Sequence, residues 1–152
     1  MVDKSLVLRK LAELEEYVGQ IREFSSLTKE AYSGDWKSQR IVERTLQIMI
    51  ELTVDISSHL ISDKKLRVPS GYADTFKVLF DSGLIDPPLF QTMEKMAKFR
   101  NMLVHLYGDI ENRYVYEFMS KDVQDILDFE RIISAKFLAP ASENPPETDK
   151  PG

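Results

Sequence analysis

Three observations on the 152-residue sequence predict an all-α fold. We expect an antiparallel bundle of four long helices with one short helix inserted. Apolar residues recur at alternating spacings of three and four, which is the period of amphipathic helices. Gly and Pro are concentrated in the short segments between these stretches. The sequence shows neither the alternating pattern of a strand nor an internal repeat. We therefore expect one helical domain with its own core.

The first two helices follow directly from this periodicity. The first is predicted from about residue 3 to residue 30. Its apolar positions are Val7, Leu11, Leu14, Val18 and Ile21. The segment YSGDW then breaks the pattern, and Asp35 is a candidate N-cap for a second helix that ends near Ile61. The apolar positions of the second helix are Val42, Leu46, Met49, Thr53, Ile56 and Leu60.

Three further helices are predicted after the loop SDKKLRVPSGY. A short helix covers about residues 72–82 and stops at SGL. Asp86 and two prolines begin a helix of about residues 88–106, because Pro is tolerated in a first helical turn; Gly108 follows its end. Asn112 is a candidate cap for the last helix. The apolar positions of that helix are Val115, Phe118, Val123, Ile126, Leu127, Phe129, Ile132, Ile133 and Phe137.

Composition limits the chemistry that the chain can perform. It contains no Cys, which excludes disulfides, thiolate metal sites and cysteine nucleophiles. Only His59 and His105 can supply imidazole, and no acidic cluster at ligand spacing surrounds either, so we predict no metal site. The formal charge of -5 argues against a general nucleic-acid coat, and contact with phosphates would need a local basic patch.

The two ends of the chain bear on its location and its domain limits. No apolar run approaches about 18 residues, and the N-terminus is amphipathic helix with no signal peptide, so we expect a soluble cytoplasmic protein. We predict a helical domain over residues 1–138. The tail 139–152, APASENPPETDKPG, is polar and Pro-rich and is predicted to be disordered.

The fourth predicted helix, about residues 88–106, carries two apolar stripes when its residues are placed 100° apart. Met96, Phe99, Leu103 and Leu106 form a core stripe. The second stripe comprises Phe90, Met93, Ala97 and Val104. It exceeds what one amphipathic face needs and predicts a partner surface. Polar residues occupy both margins of the second stripe: Arg100 and Tyr107 on one, and Glu94, Lys98, Asn101 and His105 on the other.

The motif KFRNMLVHLYGD suits phosphodiester chemistry. The imidazole of His105 can act as a general base or acid near neutral pH, and Arg100 can bind a phosphate through two donors. Asn101, one turn before His105, could hold the imidazole or donate to the phosphate. Since one His cannot easily serve as base and acid together, a homodimer that brings two copies of His105 to one cleft is expected.

A purely structural interpretation of the same residues stays open. Arg and His at this spacing are common on amphipathic helices, and the helix dipole alone favours a His near a helix C-terminus. The spacing alone therefore favours a structural role over a catalytic one.

The longer segments change that balance. KFRNMLVHLYGDIENRYVYEFM, with SGYADTFKVLFDSGLIDPPLFQTMEKM and RIVERTLQIMIELTVDISSHLI, resembles the HepT family of HEPN-domain proteins over about residues 4–138. These proteins are the toxin halves of MntA–HepT toxin–antitoxin systems. Their pattern of Arg, a polar residue and a later His fits Arg100, Asn101 and His105. The Tyr that HepT proteins carry two residues after the His fits Tyr107.

The resemblance implies a HEPN-like bundle that acts as a homodimeric, metal-independent ribonuclease with a composite cleft at the dimer interface. Arg100, Asn101 and His105 would be catalytic, with Lys98 as a supporting RNA contact. A cognate MntA-type nucleotidyltransferase antitoxin would transfer AMP to Tyr107 and silence the toxin. The expected partners are thus a second copy, this antitoxin and RNA, with no DNA, no membrane and no cofactor.

Two other classes of function stay open at this point. A non-catalytic HEPN module that binds a nucleotide or a nucleotidyltransferase would keep a partner face without depending on Arg100 and His105. A plain dimeric scaffold would depend on neither.

Overall fold

The computed structural model describes residues 4–105 and 112–138, and every element in these ranges is helical. The order is α1 (Lys4–Phe24), α2 (Lys29–Ser33), α3 (Trp36–Asp63), α4 (Tyr72–Asp81), α5 (Pro87–His105), α6 (Asn112–Glu117), a π-helical segment (Phe118–Asp122) and α7 (Val123–Leu138). The predicted all-α class is confirmed. The predictions for Leu106, Tyr107, Gly108 and the tail 139–152 lie outside the described residues.

Helix α1 buries the five residues that its periodicity predicted: Val7, Leu11, Leu14, Val18 and Ile21. The predicted end at residue 30 is wrong, because the helix stops at Phe24. The hydroxyls of Ser25 and Ser26 donate to carbonyls of the last turn, and side chains that bond the backbone in this way compete with helix continuation. Thr28 then caps the unpredicted short helix α2 by accepting from the amide of Ala31 at 3.1 Å.

Helix α3 confirms the predicted N-cap. Asp35 accepts from the amide of Lys37 at 3.1 Å and from the hydroxyl of Ser38 at 2.7 Å. The predicted apolar positions of this helix are all buried, from Val42 to Leu60. An ion pair of 3.3 Å between Lys10 and Asp55 joins the first turns of α1 to the second half of α3, as an antiparallel pairing requires.

Helix α4 begins and ends close to its predicted limits, and α5 begins close to its predicted start. Asp86 accepts from the amide of Leu89 at 2.9 Å, and Pro87 is the first helical residue, so the helix start follows the expected chemistry. Helix α5 packs against α3, α4 and α7.

The last predicted helix contains a π-helical segment that the periodicity did not predict. Phe118, Met119 and Val123 are all buried. A π-helix adds one residue to a turn, and this extra residue lets the apolar side chains on both sides of the segment face the same core. The gap of five positions between Phe118 and Val123 is the trace of this feature in the sequence.

The two-stripe interpretation of α5 requires a correction. Met93 and Ala97, assigned to a partner surface, are at most 1% exposed and lie in the core of the chain itself. Phe90 of the same stripe stacks on Phe80 of α4, with ring centroids 4.7 Å apart. Because α4 covers this side of α5, the second stripe has its partner within the chain. The core stripe also packs inward, with Phe99 stacked on Phe118 at 4.4 Å.

Candidate functional site

Arg100 lies where α3, α4 and α5 meet, and it is not on an open margin. Its Nη2 donates to Oε1 of Glu51 at 3.1 Å, and its guanidinium lies over the ring of Tyr72, 4.5 Å from the centroid. The side chain is 20% exposed. A weaker bond of 3.4 Å runs from Nη1 to Oδ1 of Asn101. The guanidinium is thus held from two neighbouring helices before any substrate arrives.

The carboxylate that holds Arg100 is itself positioned. Oε1 of Glu51 also accepts from Nε2 of Gln47, one turn earlier in α3, at 3.2 Å. This shared acceptor orders Glu51 along its helix. The Nε of Arg100 is buried and has no hydrogen-bond partner among the described residues. The remaining Nη hydrogens are therefore the donors that a phosphate could use.

Tyr72 reaches Arg100 because the preceding loop is tied to α4. Both terminal guanidinium nitrogens of Arg67 donate to Asp74, at 2.7 and 2.8 Å, and the amide of Ser70 donates to the same carboxylate at 2.8 Å. These donors hold the pKa of Asp74 well below its usual range. The loop thereby fixes the first residue of α4, which is Tyr72.

His105, Asn101 and Lys98 form an exposed row on another side of α5. Arg100 and His105 are five residues apart, which on an α-helix corresponds to a rotation of about 140° and a rise of about 7.5 Å. The two side chains that the sequence motif brings together therefore leave the helix in different directions. Lys98 is well exposed and lies 3.9 Å from Glu94, one turn before it. Tyr107 lies outside the described residues.

A cavity of about 340 Å³ opens on the same side of α5 as the row that ends at His105. Its apolar lining comes from Phe99, Met102 and Phe118, two of which form the stacked pair between α5 and the π-helical segment. Met102 is three residues before His105, so the two share one side of the helix. The cavity and the exposed imidazole are therefore neighbours along α5.

Charges surround the cavity in a polarised arrangement. Lys95 and Lys98 line it from α5, whereas Glu117 and Asp122 line it from the opposite wall. Burial raises the pKa of Asp122, with a further contribution from the nearby carboxylate of Asp125. One wall is thus cationic and the other presents carboxylate oxygens.

The described part of the chain contains no group of three or more His, Asp or Glu side chains placed to hold a metal ion. None of its helices is both long and apolar enough to cross a membrane.

Sequence reasoning did not identify Glu51 and Tyr72. Glu51 stands between Ile50 and Leu52 in the middle of a largely buried helix, and this isolation is the signal that could have drawn attention to it. Periodicity does not show which cation such a carboxylate meets, because its partner is 49 positions away in the sequence. Tyr72 lies in the loop-to-helix segment GYADTF and carries no local sign of its contact with Arg100.

The sequence matches the family described as Ribonuclease HepT-like over residues 14–133. A tRNA nuclease HepT from Aphanizomenon flos-aquae is 25% identical over 146 residues, which cover 94% of this chain and 97% of that protein. An mRNA nuclease HepT from Shewanella oneidensis is 25% identical over 131 residues, 86% of this chain and 98% of that protein.

A solved structure gives the same relationship in three dimensions. The tri-AMPylated Shewanella oneidensis HEPN toxin, solved in complex with MNT antitoxin, is 26% identical and superposes with a TM-score of 0.80. The match covers 89% of this chain and 99% of that one. The family match spans most of the helical bundle and includes Arg100 and His105. The chain therefore belongs to the ribonuclease HepT-like family.

Proposed function

We propose that this protein is the toxin of a toxin–antitoxin pair, a metal-independent endoribonuclease that cleaves RNA through attack of the substrate's own 2'-hydroxyl. Its family supports ribonuclease activity, as do the two relatives that are named for cleavage of tRNA and of mRNA. We assign the activity to the helical domain of residues 1–138, with residues 139–152 as a polar tail. The observation that carries the proposal is the arrangement of Arg100, whose guanidinium is positioned in advance by Glu51 and Tyr72.

Arg100 is proposed to stabilise the charge that develops on the phosphoryl oxygens. A guanidinium keeps its charge at all working pH values and can donate two parallel hydrogen bonds to a phosphate. Donors that are already oriented need no reorganisation as the transition state forms, which is the main source of electrostatic catalysis. Glu51 supports this role by fixing one edge of the guanidinium and leaving other N–H groups for the substrate.

His105 is proposed to move the protons. One imidazole removes the proton from the 2'-hydroxyl, the 2'-oxygen attacks phosphorus, and the bond from phosphorus to the 5'-oxygen breaks. A second imidazole gives a proton to the departing 5'-oxygen. The products are a 2',3'-cyclic phosphate and a 5'-hydroxyl, so every proton is accounted for without a metal ion. Asn101 is proposed to bond the imidazole or the phosphate.

Two imidazoles in one cleft require two copies of the chain. Within one chain His105 and Arg100 leave α5 about 140° apart, so each needs a different approach to a shared phosphate. A two-fold axis beside the C-terminal part of α5 would bring both His105 side chains together. The exposure of Asn101 and His105 and the partial exposure of Met102 and Val104 leave this part of the helix available for such an interface.

Control by a nucleotidyltransferase is the second half of the proposal. The HEPN toxin of similar structure was solved AMPylated and in complex with MNT antitoxin. By analogy, we propose that an MntA-type antitoxin transfers AMP to Tyr107, two residues after His105. Each AMP would add negative charge and bulk beside the catalytic residues and would compete for the guanidinium of Arg100.

The assignment is tested by RNA cleavage in the presence of a chelator. Purified protein should leave 2',3'-cyclic phosphate ends, and both Arg100→Ala and His105→Ala should abolish cleavage and relieve toxicity in cells. Lys77→Ala, which removes an exposed lysine of α4, is the control and should cut at the parent rate. If Arg100→Ala and His105→Ala fold and cut as well as the parent, the catalytic roles are wrong. If the parent itself does not cut RNA, the chain is a non-catalytic HEPN module.

A further inference from the structure

The cavity between α5 and the π-helical segment has a size and a lining that the proposed chemistry does not use. Its volume of about 340 Å³ is at the lower end of the range for small-ligand sites, about 300–1,000 Å³, and suits a single nucleoside. The ring of Tyr114 is 47% exposed and also lines the cavity. The guanidinium of Arg113 lies over that ring, 4.9 Å from its centroid. An exposed aromatic ring beside an apolar floor is a typical surface for stacking a base.

The polarity of the cavity fixes the orientation of such a ligand. Lys95 and Lys98 on α5 attract phosphate, whereas Glu117 and Asp122 on the opposite wall repel it. The part of a nucleotide that faces the carboxylates must therefore be a hydrogen-bond donor, and in RNA that is the edge of a base. A nucleotide bound in this way has its phosphate towards α5, on the side where His105 is exposed.

Asp122 is the group on this wall that needs a donor. Its carboxylate is partly buried and has no hydrogen-bond donor among the described residues, and although burial raises its pKa, the nearby charges of Lys95 and Lys121 favour its ionised form. It is also the last residue of the π-helical segment, and such segments occur frequently at functional sites. A base that donates two adjacent hydrogen bonds would satisfy both oxygens of this carboxylate.

The chemistry of the four bases selects one of them. The Watson–Crick edge of guanine presents its N1–H and N2–H donors side by side, which matches the two oxygens of a carboxylate. Adenine and cytosine place a ring acceptor beside their amino group, and uracil has carbonyls on both sides of its single donor. These acceptors would be repelled by the carboxylate.

We propose that this cavity binds an unpaired guanine of the RNA substrate, stacked on Tyr114 with its Watson–Crick edge on Asp122, next to the phosphate that is cleaved. This inference rests on the proposed ribonuclease function and names its base preference. Lys98 then binds the phosphate of that nucleotide, which gives a physical role to the contact expected from the sequence.

Binding is measured on the full chain by NMR of ¹³C-labelled Met methyl groups, with GMP, AMP, CMP, UMP and inorganic phosphate as probes. GMP should shift the Met102 signal saturably, while the fully buried Met49, Met93 and Met96 serve as internal references. AMP, CMP and UMP should bind more weakly than GMP. Inorganic phosphate alone should leave the Met102 signal unmoved.

Three variants, two of them with matched controls, test the contacts. Tyr114→Ala should weaken GMP binding about 10-fold, the loss expected for one stacked base, whereas Tyr114→Phe keeps the ring and should bind like the parent. Asp122→Asn should remove the preference for GMP over AMP. Lys98→Ala should weaken GMP binding, whereas Lys77→Ala should not. The two lysines are matched because Lys98 lies 3.9 Å from Glu94 and Lys77 lies 3.8 Å from Asp81, each at a spacing of four residues.

The inference is overturned if GMP leaves Met102 unshifted, or if Tyr114→Ala and Asp122→Asn bind GMP as the parent does. It is also overturned if these variants lose only the capture of the nucleotidyltransferase, because the cavity would then be a protein-docking site. Failure of the catalytic assignment gives a different result: Arg100→Ala and His105→Ala would cut RNA normally while GMP still shifts Met102.

Discussion

Oε1 of Glu51 lies 3.1 Å from Nη2 of Arg100 and 3.2 Å from Nε2 of Gln47, so one carboxylate oxygen joins α5 to an ordered row on α3. The pair is partly exposed, with 20% of the Arg100 side chain and 33% of the Glu51 side chain accessible. Solvent screening therefore limits what the pair adds to folding stability. Its value is in orientation, since a guanidinium fixed at one edge points its other donors in one direction.

Glu51→Ala should consequently lower RNA cleavage much more than it lowers stability. Misplacement of a catalytic group by about 1 Å can cost about 100-fold in rate, and we expect a loss of about 10-fold to 100-fold here. The measurements are the cleavage rate and the urea midpoint. The control is Asp55→Asn, one turn after Glu51 in α3. It removes the charge that pairs with Lys10 at 3.3 Å and should keep the parent rate. Equal rates for Glu51→Ala and the parent would remove Glu51 from the site.

The shared cleft predicts a homodimer. Light scattering should give twice the chain mass of 17.6 kDa at micromolar concentration. Mixing refolded His105→Ala chains with an equal amount of parent chains should leave about one quarter of the activity, because both imidazoles of a cleft are then needed. A remaining activity of about one half would mean that each chain works alone.

Tyr107 is the proposed acceptor of AMP. A free phenol has a pKa of about 10 and is a poor nucleophile, so transfer needs the nucleotidyltransferase to supply an activated α-phosphorus. Mass spectrometry of protein co-expressed with that enzyme should show added mass in AMP units on the Tyr107 peptide. Tyr107→Phe should stay unmodified and toxic, while Tyr114→Phe should still be neutralised. Full neutralisation of Tyr107→Phe would point to simple masking of the toxin by its partner.

Tyr32 and Tyr116, whose tilted rings have centroids 5.7 Å apart, offer opposite tests of what a tyrosine hydroxyl contributes to stability. The Tyr32 hydroxyl is buried without a hydrogen-bond partner among the described residues, and burial raises its pKa. The Tyr116 hydroxyl donates to the carbonyl of Leu27 at 2.7 Å. Tyr32→Phe should raise the free energy of unfolding by about 1 kcal/mol, and Tyr116→Phe should lower it by about the same amount. Chemical denaturation of both variants checks this, and a loss in Tyr32→Phe would reveal a missing partner.

Glu130 makes stability depend on pH. Burial and the neighbouring Glu15 raise its pKa from 4.5 to about 7, so the folded state favours the protonated carboxyl. Below pH 4.5 the free energy of unfolding contains the full stabilisation from protonated Glu130. This stabilisation is lost as the pH rises towards 7, and at higher pH the ionisation of Glu130 changes the free energy no further. Glu130→Gln should remove this slope and gain about 2 kcal/mol over the parent at pH 8. The exposed Glu16→Gln is the control and should follow the parent curve; a parallel curve for Glu130→Gln would disprove the linkage.

The regular elements could be predicted because their causes are local. The spacing of Val7 to Ile21 and the Asp35 cap depend on neighbours within a few residues, and both are confirmed. Helix α2 was not predicted, since five residues carry too little periodicity to separate a second helix from the first. The second stripe of α5 was assigned to a partner because a helical wheel shows that a face is apolar and does not show what covers it.

The candidate site divides in the same way. The motif predicts Arg100 and His105 as catalytic residues from sequence alone, and both lie within the range that matches the family. The contacts that hold Arg100 come from Glu51 and Tyr72, and only the packing of three helices brings these side chains together. The positions of these residues along the sequence do not show that their side chains will meet.

The π-helical segment contains one residue more than an α-helical turn would need, and it lets α6 and α7 present their apolar residues to the same side. Deleting the exposed Ser120 would leave Phe118 and Val123 four positions apart in an ordinary α-helix, a rotation of about 400° that returns to the same face. Ile126 and Phe129, now fully buried, would then keep their places in the core. Deleting the exposed Arg44 from the regular helix α3 would instead turn every later residue of that helix by about 100°. The protein should therefore tolerate loss of Ser120 far better than loss of Arg44.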